Sequence, residues 1–373
     1  MYAETAMVQE EMKKEDPAPK LPQKKGIELD FDFDKPGLID WLRRNHCGLI
    51  LSSYKTHRLI SIGVIYDEKS KQDNLSIWVT NIGRPMGVHV DGDSVWVGGQ
   101  AQLFKYQNIV NPGRKDEQGF DYTLIPRLMY TTSDIDTHDI TLIDGEPHFI
   151  SAMFSCIAKP STTKSFKFVW KPPFIDKICP EDRCHLNGLC EVGGRVKYVT
   201  MASRSNVRDG WKGKRDSGGQ VMDVETGEVV CKGLSMPHSP RWYRGELWVL
   251  NSGEGYLGTV DLSTKTFKRR VFIPGFLRGL SFHQNFAIVG SSQDRHEDRF
   301  TGLQIGKTLD DMGQDPVCGV FICNLDTNQV DHKIWFGAPL VEMYDVAVIP
   351  GITRPRVLDV SEPKMTLHHD FEM

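Results

Sequence analysis

The feature that most constrains this chain is a repeat led by histidine. Asp136-Thr-His-Asp139, Glu181-Asp-Arg-Cys-His-Leu-Asn-Gly188 and Met236-Pro-His-Ser-Pro-Arg241 each set a histidine ahead of a short apolar run, a Gly-bearing turn and a second β-rich run. His138 leads into residues 140–150, His185 into 187–199 and His238 into 240–250. Further runs of this kind begin near Pro85, Arg278 and Tyr344, at intervals close to the length of a four-stranded propeller blade. The second run of each unit repeats too, at 94–97, 146–150, 197–199, 246–250 and 285–289. Short segments rich in Val, Ile, Phe, Trp and Tyr, separated by Gly, Asp and Asn turns, are strands.

The two ends of the chain fit the same unit. Residues 49–62 read as the second and third strands of a blade, comparable to 247–260, and residues 344–348 supply the missing first strand. The expectation is an all-β fold, a six-bladed β-propeller whose last blade is closed by both chain ends, which removes exposed sheet edges. A short helix precedes it over residues 34–44, with Asp34 as cap, Pro36 in the first turn and Leu38, Trp41 and Leu42 on one face. Its expected role is to cover one end of the domain. The expected organisation is a disordered tail over 1–25, a linker and helix over 26–47, the propeller over 48–360 and a tail over 361–373. Insertions are expected at about 105–127, 155–180, 203–218 and 293–317, lying over one face of the ring.

Composition narrows the functional classes. Lys and Arg number 45 against 49 Asp and Glu, a net charge of -4, which excludes the basic excess of a general nucleic-acid binder. The basic cluster Lys212-Gly-Lys-Arg215 is too short to reverse that. No stretch approaches the roughly 18 apolar residues of a membrane span, and the N-terminus has no apolar core of a secretory signal. A cytoplasmic protein with a small-molecule substrate, and with neither nucleic acid nor membrane as partner, is expected. The eight cysteines are scattered and read as buried free thiols. Cys179, Cys184 and Cys190 lack the C-x2-C pairs of a structural zinc site. Phosphate loops, dinucleotide fingerprints, G-x-S-x-G and H-E-x-x-H are all missing from the sequence.

In a propeller the starts of the inner strands converge on the central channel, so His138, His185 and His238 would form a ring on three consecutive blades. Three imidazoles leave open positions on iron, copper or zinc. Asp136, Asp139, Glu181 and Asp182 stand close in sequence as acceptors for the other ring nitrogens, and Glu342 and Asp345 could add a carboxylate from the sixth blade. An alternative set of oxygens, from Asp139, Asn187, Ser239 and Asp345, would suit calcium. Of the arginines at the motifs, Arg183, Arg241 and Arg278, with Asn187, are expected to orient a polar or anionic substrate. Glu181, Asp139 and Asp345 are the expected proton carriers. The plainer alternatives are histidines bonded to backbone carbonyls that close the channel, and arginines paired with nearby acids. The tryptophans mostly fall in strands and fill blade interfaces, with Trp211 and Trp242 as the exceptions.

Arg84-Pro-Met-Gly87, Asp134-Ile-Asp-Thr-His-Asp139, Glu181–Gly188, Met236–Arg241 and Phe276-Leu-Arg-Gly279 resemble an uncharacterised family of propeller-like proteins carried under a conserved-hypothetical label, over roughly residues 48–355. The resemblance implies a fold and no activity. More distantly, Asn187-Gly-Leu ahead of Tyr198-Val199 is similar to the inner strands of six-bladed calcium-dependent lactonases, the gluconolactonase and paraoxonase group. That likeness implies Asn, Asp and Glu at strand starts holding calcium in the tunnel. Asp136-Thr-His-Asp139 is loosely similar to a His-Asp motif of the carotenoid-cleaving oxygenases, propellers whose histidines hold iron. Those have seven blades and four ligating histidines, against six and three here. The expected function is a metal-dependent enzyme acting on a polar or anionic small molecule in the channel, as oxygenase, hydrolase or isomerase. The alternatives are a calcium-dependent lactonase-like hydrolase, a non-catalytic ligand- or protein-binding propeller, and a metal-free propeller enzyme with one acid in a shaped pocket, as in strictosidine-synthase-like proteins.

Overall fold

The structure, a computed structural model, describes residues 29–293 and 300–359. The tails expected over 1–25 and 361–373 lie outside the described residues.

The β-rich runs form the expected strands. Six inner strands, Val88–Asp91, Thr137–Ile143, Leu186–Glu191, Pro237–Tyr243, Phe276–His283 and Asp345–Pro350, each contact the next, and the last contacts the first. The ring is therefore closed around an axial channel, and the inner strands define blades 1 to 6 in that order. Each is followed outward by three antiparallel strands. In blade 6 the inner strand comes from the C-terminal part of the chain and pairs with Cys47–Ser53, setting Leu49 against Val348 and Ser52 against Asp345. The ends then go one step further than the sequence reading. Phe31–Phe33 adds a fifth, antiparallel strand to the outer edge of blade 5. Pro355–Val357 adds a fifth, parallel strand to blade 1. The two blades beside the closure thus have covered edges.

The second strands are apolar without alternation because both of their faces are buried. In blade 4, Leu247 and Val249 pack towards blade 3, with Val221 and Cys231, while Trp248 and Leu250 pack towards blade 5, with Leu280 and Val289. In blade 6, Leu49 and Leu51 face blade 5 and Ile50 faces blade 1. Each of the six gaps between blades holds its own apolar cluster. The core is a set of radial slabs, so the axis is left to other side chains.

The N-terminal helix spans Gly37–Arg44 with Leu38, Ile39, Trp41 and Leu42 buried. Its cap differs from the expectation. Pro36 holds the cap position with no side-chain bond, because the Asp34 carboxylate instead accepts the Lys333 N–H at 3.0 Å, beside the added edge strand. The helix leads into Cys47, opposite the end of an inner strand, and Asn45 O accepts a bond from His283 at 2.8 Å, near the end of another. It therefore covers blades 5 and 6 at the end of the ring remote from the histidines. The expected insertions also need correction. Residues 105–127 and 155–180 contain third and fourth strands, Gln102–Asn108, Tyr122–Thr131, Cys156–Lys159 and Lys167–Trp170. Cys156–Lys159 and the first half of Tyr122–Thr131 are buried and apolar, so the loop reading fails there, whereas Lys167–Trp170 is largely exposed. The long connections lie on both faces: 109–121 joins third and fourth strands at one end, whereas 202–218 joins second and third strands at the other. None of the described helices is long and apolar enough to cross a membrane, which says nothing about strands.

At the channel wall the blades alternate. Blades 2, 4 and 6 carry Asp139, Ser239 and Asp345, and each accepts a backbone N–H from the following blade: Leu189 to Asp139 at 3.1 Å, Gly279 to Ser239 at 3.2 Å and Val88 to Asp345 at 2.8 Å. Blades 1, 3 and 5 carry Gly87, Gly188 and Gly279, pressed against the next blade's backbone. A Cβ on Gly279, where φ is +78°, would lie 2.5 Å from Val346 N, whereas Gly145, also at positive φ, faces open space. Gly279→Ala should therefore cost about 2–4 kcal/mol from overpacking plus backbone strain, against about 1–2 kcal/mol for Gly145→Ala from strain alone. Urea unfolding of both variants checks this, and equal losses would contradict the close-approach account.

Candidate functional site

The residue just ahead of each Asp, Ser or Gly at the channel wall looks onto the channel mouth. Strand register makes Met86, His138, Asn187, His238, Arg278 and Tyr344 equivalent: Thr137 pairs with Ser151, Leu186 with Met201, Pro237 with Asn251 and Leu277 with Ser291. His138 and His238 thus share one repeat position, as expected. His185 does not, because Asn187 holds that place on blade 3. His185 falls two residues earlier, where Asp136 and Met236 stand, and all three have positive φ, 49°, 57° and 46°. Aligning the units on their histidines, rather than on the strands, hides this offset.

His185 nonetheless reaches the same cluster. Its ring lies edge-on to His138 with centroids 4.9 Å apart and stacks on Trp211 at 4.1 Å. Tyr344 meets His138 edge-on at 5.7 Å, and Phe276 meets His238 at 5.6 Å. In all three histidines Nδ1 faces an acceptor. His138 has Asp136 O at 3.1 Å, His185 has the Asp182 carboxylate at 2.9 Å, and His238 has Met236 O at 2.7 Å. Carbonyl and carboxylate oxygens only accept, so Nδ1 carries a hydrogen in each ring, and in a neutral ring Nε2 then keeps its lone pair. Asp182 also accepts the Trp211 indole N–H at 2.8 Å, which fixes the stacked pair. Left-handed backbone at non-glycine residues is strained and clusters at functional sites. Here it sets up the tight turns that let His138 and His238 bond back to the residue two before them.

Burial pushes the His138 imidazole down to about 4, with His185 and Arg278 adding to the effect and Asp136 opposing it. Burial, then Arg278 and His185, also holds His238 well below the ordinary range. Both rings are neutral at physiological pH. Three buried polar atoms in this layer lack a hydrogen-bond partner among the described residues: His238 Nε2, Arg278 Nε and Asn187 Nδ2. Arg278 is buried. Its guanidinium lies over the Tyr344 ring at 4.6 Å and the Phe276 ring at 5.6 Å, and it has no carboxylate partner among the described residues.

The other expected site residues are placed elsewhere. Arg241 lies deeper in the channel, where Nη1 and Nη2 donate to Asp139 at 2.9 and 3.0 Å. It also donates to Leu189 O, Pro240 O and Leu280 O. Burial works against its charge, but Asp139 more than restores it, so its affinity for the proton is raised. Asp345 lies in the same field; burial, then the Asp139 carboxylate, raise its proton affinity. Asp139 and Asp345 therefore stitch the channel wall below the histidines. Arg183 is braced by Glu181, Asp176 and Asn206 at 2.8, 2.5 and 2.7 Å. The Arg183 bond keeps Glu181 below its usual range, outside the imidazole cluster. Glu342 accepts from Ser53 and Lys55 N, both at 3.2 Å. Sequence reasoning missed Tyr344 and Phe276 as partners of the cluster, whereas Asp182 takes the ring-nitrogen acceptor role expected of it, towards His185. Tyr344 had a readable signal, since Tyr344-Asp345 occupies the place of His138-Asp139 and His238-Ser239.

Comparison with known proteins adds a family. The family described as a domain of unknown function, DUF4915, matches residues 36–358. None of the curated proteins matches the chain. Among solved structures, the nidogen/laminin complex is 9% identical with a TM-score of 0.49, covering 82% of this chain and 98% of that one. Virginiamycin B lyase from Staphylococcus aureus, with quinupristin, is 10% identical with a TM-score of 0.36, covering 65% and 73%. The computationally designed Ika8 protein is 10% identical with a TM-score of 0.33, covering 78% and 82%. At these levels the likenesses carry no argument about function.

The protonation of the cluster is testable through stability. Between about pH 4 and 6.5 the unfolded chain takes up a proton that folded His138 refuses. That contribution is complete above pH 6.5 and is lost as pH falls towards 4. Asp345, with its raised proton affinity, acts in the opposite sense over part of this window, so the test is comparative. Wild type should lose stability with acid more steeply than His138→Gln, by up to about 1.4 kcal/mol per pH unit. Parallel urea-unfolding curves across that range would contradict a buried neutral His138.

Proposed function

The chain belongs to the DUF4915 family, whose description names no activity, and from the chemistry of the channel we propose that the protein is an enzyme acting on a small polar molecule with an anionic group, bound at the histidine mouth. The observation that carries this reading is Arg278. A guanidinium taken out of water is costly unless a negative charge offsets it. Arg183 and Arg241 have such partners in the fold; among the described residues Arg278 has aromatic faces instead. A carboxylate or phosphate on the substrate would complete it, and Arg binds either in two-point fashion. Asn187 Nδ2 adds a donor and His238 Nε2 an acceptor, so the ligand carries both kinds of group. His185, oriented by Asp182 with Nε2 exposed to the mouth cluster, is the residue to take a proton from a bound hydroxyl or water, as a carboxylate-oriented imidazole does elsewhere. Oxygenase, hydrolase and isomerase chemistry all remain within this description.

A transition metal held by His138, His185 and His238 is the second reading. It is supported by the tautomers, since an imidazole that binds a metal through one nitrogen donates its other N–H to a carbonyl or carboxylate. A metal there would activate water or polarise a carbonyl. Among the described residues no three His, Cys, Asp or Glu side chains are grouped to hold a metal ion, and Arg278 adds positive charge beside the rings, so the anion reading leads. The calcium reading is supported less, because the oxygens of Asp139, Ser239 and Asp345 accept backbone bonds and Asn187 Oδ1 accepts from Thr200 at 2.8 Å.

Thermal unfolding with phosphate, small mono- and dicarboxylates and sugar phosphates tests the anion site. A ligand at a hundredfold excess over Kd should stabilise wild type by about 2.7 kcal/mol. Arg278→Met should abolish the shift while unfolding no earlier than wild type without ligand, because it removes an uncompensated buried charge. A shift that survives in Arg278→Met, or no shift with any of these anions, would overturn the proposal. Elemental analysis of wild type beside His185→Ala tests the metal. Near-stoichiometric iron, copper or zinc, lost in the variant, would establish the second reading; its absence in both, after attempted reconstitution, would end it.

A further inference from the structure

Where the chain closes the ring it also builds a pocket on the outside. Thr353 and Arg354 cross from blade 6 to the fifth strand of blade 1. Thr353 O accepts the Val64 N–H at 2.8 Å, and Gly63 permits the crossing, since a Cβ there would lie 2.3 Å from that oxygen. The 109–121 connection lies against this crossing, at the end of the ring remote from the histidines. Between them, beside the last turn of the N-terminal helix, is a cavity of about 610 Å³. Small-molecule sites occupy roughly 300–1,000 Å³. The lining includes Arg43, Tyr66, Glu68, Lys115 and Arg354.

The charges here divide into matched and unmatched. Arg43 pairs with Asp73, and Glu68 with Lys71. Arg354 has no carboxylate partner for its side chain among the described residues. Its guanidinium lies over the Phe120 ring at 3.9 Å, donates through Nε to Ser76 Oγ at 3.0 Å and through Nη1 to Gln118 O at 2.6 Å. Gly119, at φ +82°, makes the room, because a Cβ there would come within 3.2 Å of Nη1. The two nearby acids are engaged elsewhere. Asp121 accepts the Thr353 and Arg354 backbone N–H groups at 2.8 and 2.7 Å, and Asp116 pairs with Arg356 at 2.6 Å. Burial lowers the proton affinity of Arg354 and Arg356 adds to this, while Asp116 and Asp121 oppose it. Lys115 is exposed, and no acid pairs with it among the described residues. The cavity therefore carries two unmatched cations, one of them a fork held in place by its neighbours. The same lining holds Tyr66, 46% exposed, an aromatic face open to a ligand ring.

A phosphate monoester carries about −1.5 to −2 at neutral pH, which two cations match, and the guanidinium fork suits its oxygens. A planar base stacks on an exposed aromatic side chain, and the volume leaves room for a sugar between base and phosphate. We infer that this pocket binds a nucleoside monophosphate, with the phosphate between Lys115 and Arg354 and the base on Tyr66. The inference does not depend on the anion site, which lies at the opposite end of the ring.

Isothermal titration of the full chain, as wild type and as Arg278→Met, separates the two sites, because the variant removes the guanidinium of the histidine mouth. Adenosine monophosphate should bind Arg278→Met one to one. Adenosine and inorganic phosphate should each bind that variant at least tenfold more weakly, because each keeps only one of the two contacts. Lys115→Gln and Tyr66→Ala change exposed side chains and leave the core untouched; added to Arg278→Met, each should weaken adenosine monophosphate about fivefold or more. Nucleotide binding that is lost in Arg278→Met would belong to the histidine mouth and overturn this site. Adenosine or phosphate binding as tightly as the nucleotide, no saturable heat from the nucleotide with either protein, or unchanged binding on either added substitution would each overturn it as well.

Discussion

The Arg241–Asp139 pair is the interaction on which the channel depends. Arg241 leaves blade 4, meets Asp139 of blade 2 and donates to carbonyls on blades 3, 4 and 5. Asp139 in turn accepts the Leu189 and Ile140 N–H groups. A buried ion pair repays its desolvation only when the remaining donors and acceptors are satisfied, and here one guanidinium and one carboxylate bind four of six blades. The pair also divides the channel, so that each mouth faces a floor with little net charge. On the histidine side, what lies above that floor is Arg278 with the buried, neutral His138 and His238.

The rest of the ring is built to hold that axis closed. Three side chains, on alternate blades, reach forward to the next blade's backbone, and three glycines let the opposite faces approach. Further out, each gap between blades has its own apolar slab, and the chain ends close blade 6 and then cover the edges of blades 5 and 1. This order explains why the polar residues of the axis cannot be replaced piecemeal by apolar ones. Their oxygens serve backbone N–H groups that no strand ladder reaches, and an unmet buried N–H is expensive.

Much of this was readable in the sequence. The two-sided burial of the second strands gives unbroken apolar runs such as Leu247-Trp-Val-Leu250, and the repeat of these runs identifies the blades and even the shared closing blade. The site was readable only in part. His138, His238, Asn187 and Arg278 lie in the mouth layer. Glu181, Arg183, Arg241 and Asp139 carry the same residue types and equally suggestive spacing, yet their charges pair with one another or with backbone. Nothing in spacing separates an arginine that meets a carboxylate from one that does not, because the partner of Arg241 is a hundred residues away in sequence and across the axis in space. His185 shows the same limit at short range. It stands two residues ahead of the position held by His138 and His238, at the left-handed residue that Asp136 and Met236 occupy in their blades, and stacking on Trp211 from the 202–218 connection keeps it in the cluster.

The sequence by itself determined the blade count, the closure by both ends and the set of histidines at one mouth, because these follow from local strand patterning repeated along the chain. Only the tertiary structure decided which charges are matched. Ring closure brings together side chains from blades far apart in sequence, and burial along the axis makes each unmatched charge or orphaned donor costly enough to mean something. Arg278 and Arg241 are alike as residues in strand-start motifs; they differ because one faces Asp139 and the other, among the described residues, faces aromatic rings and imidazoles.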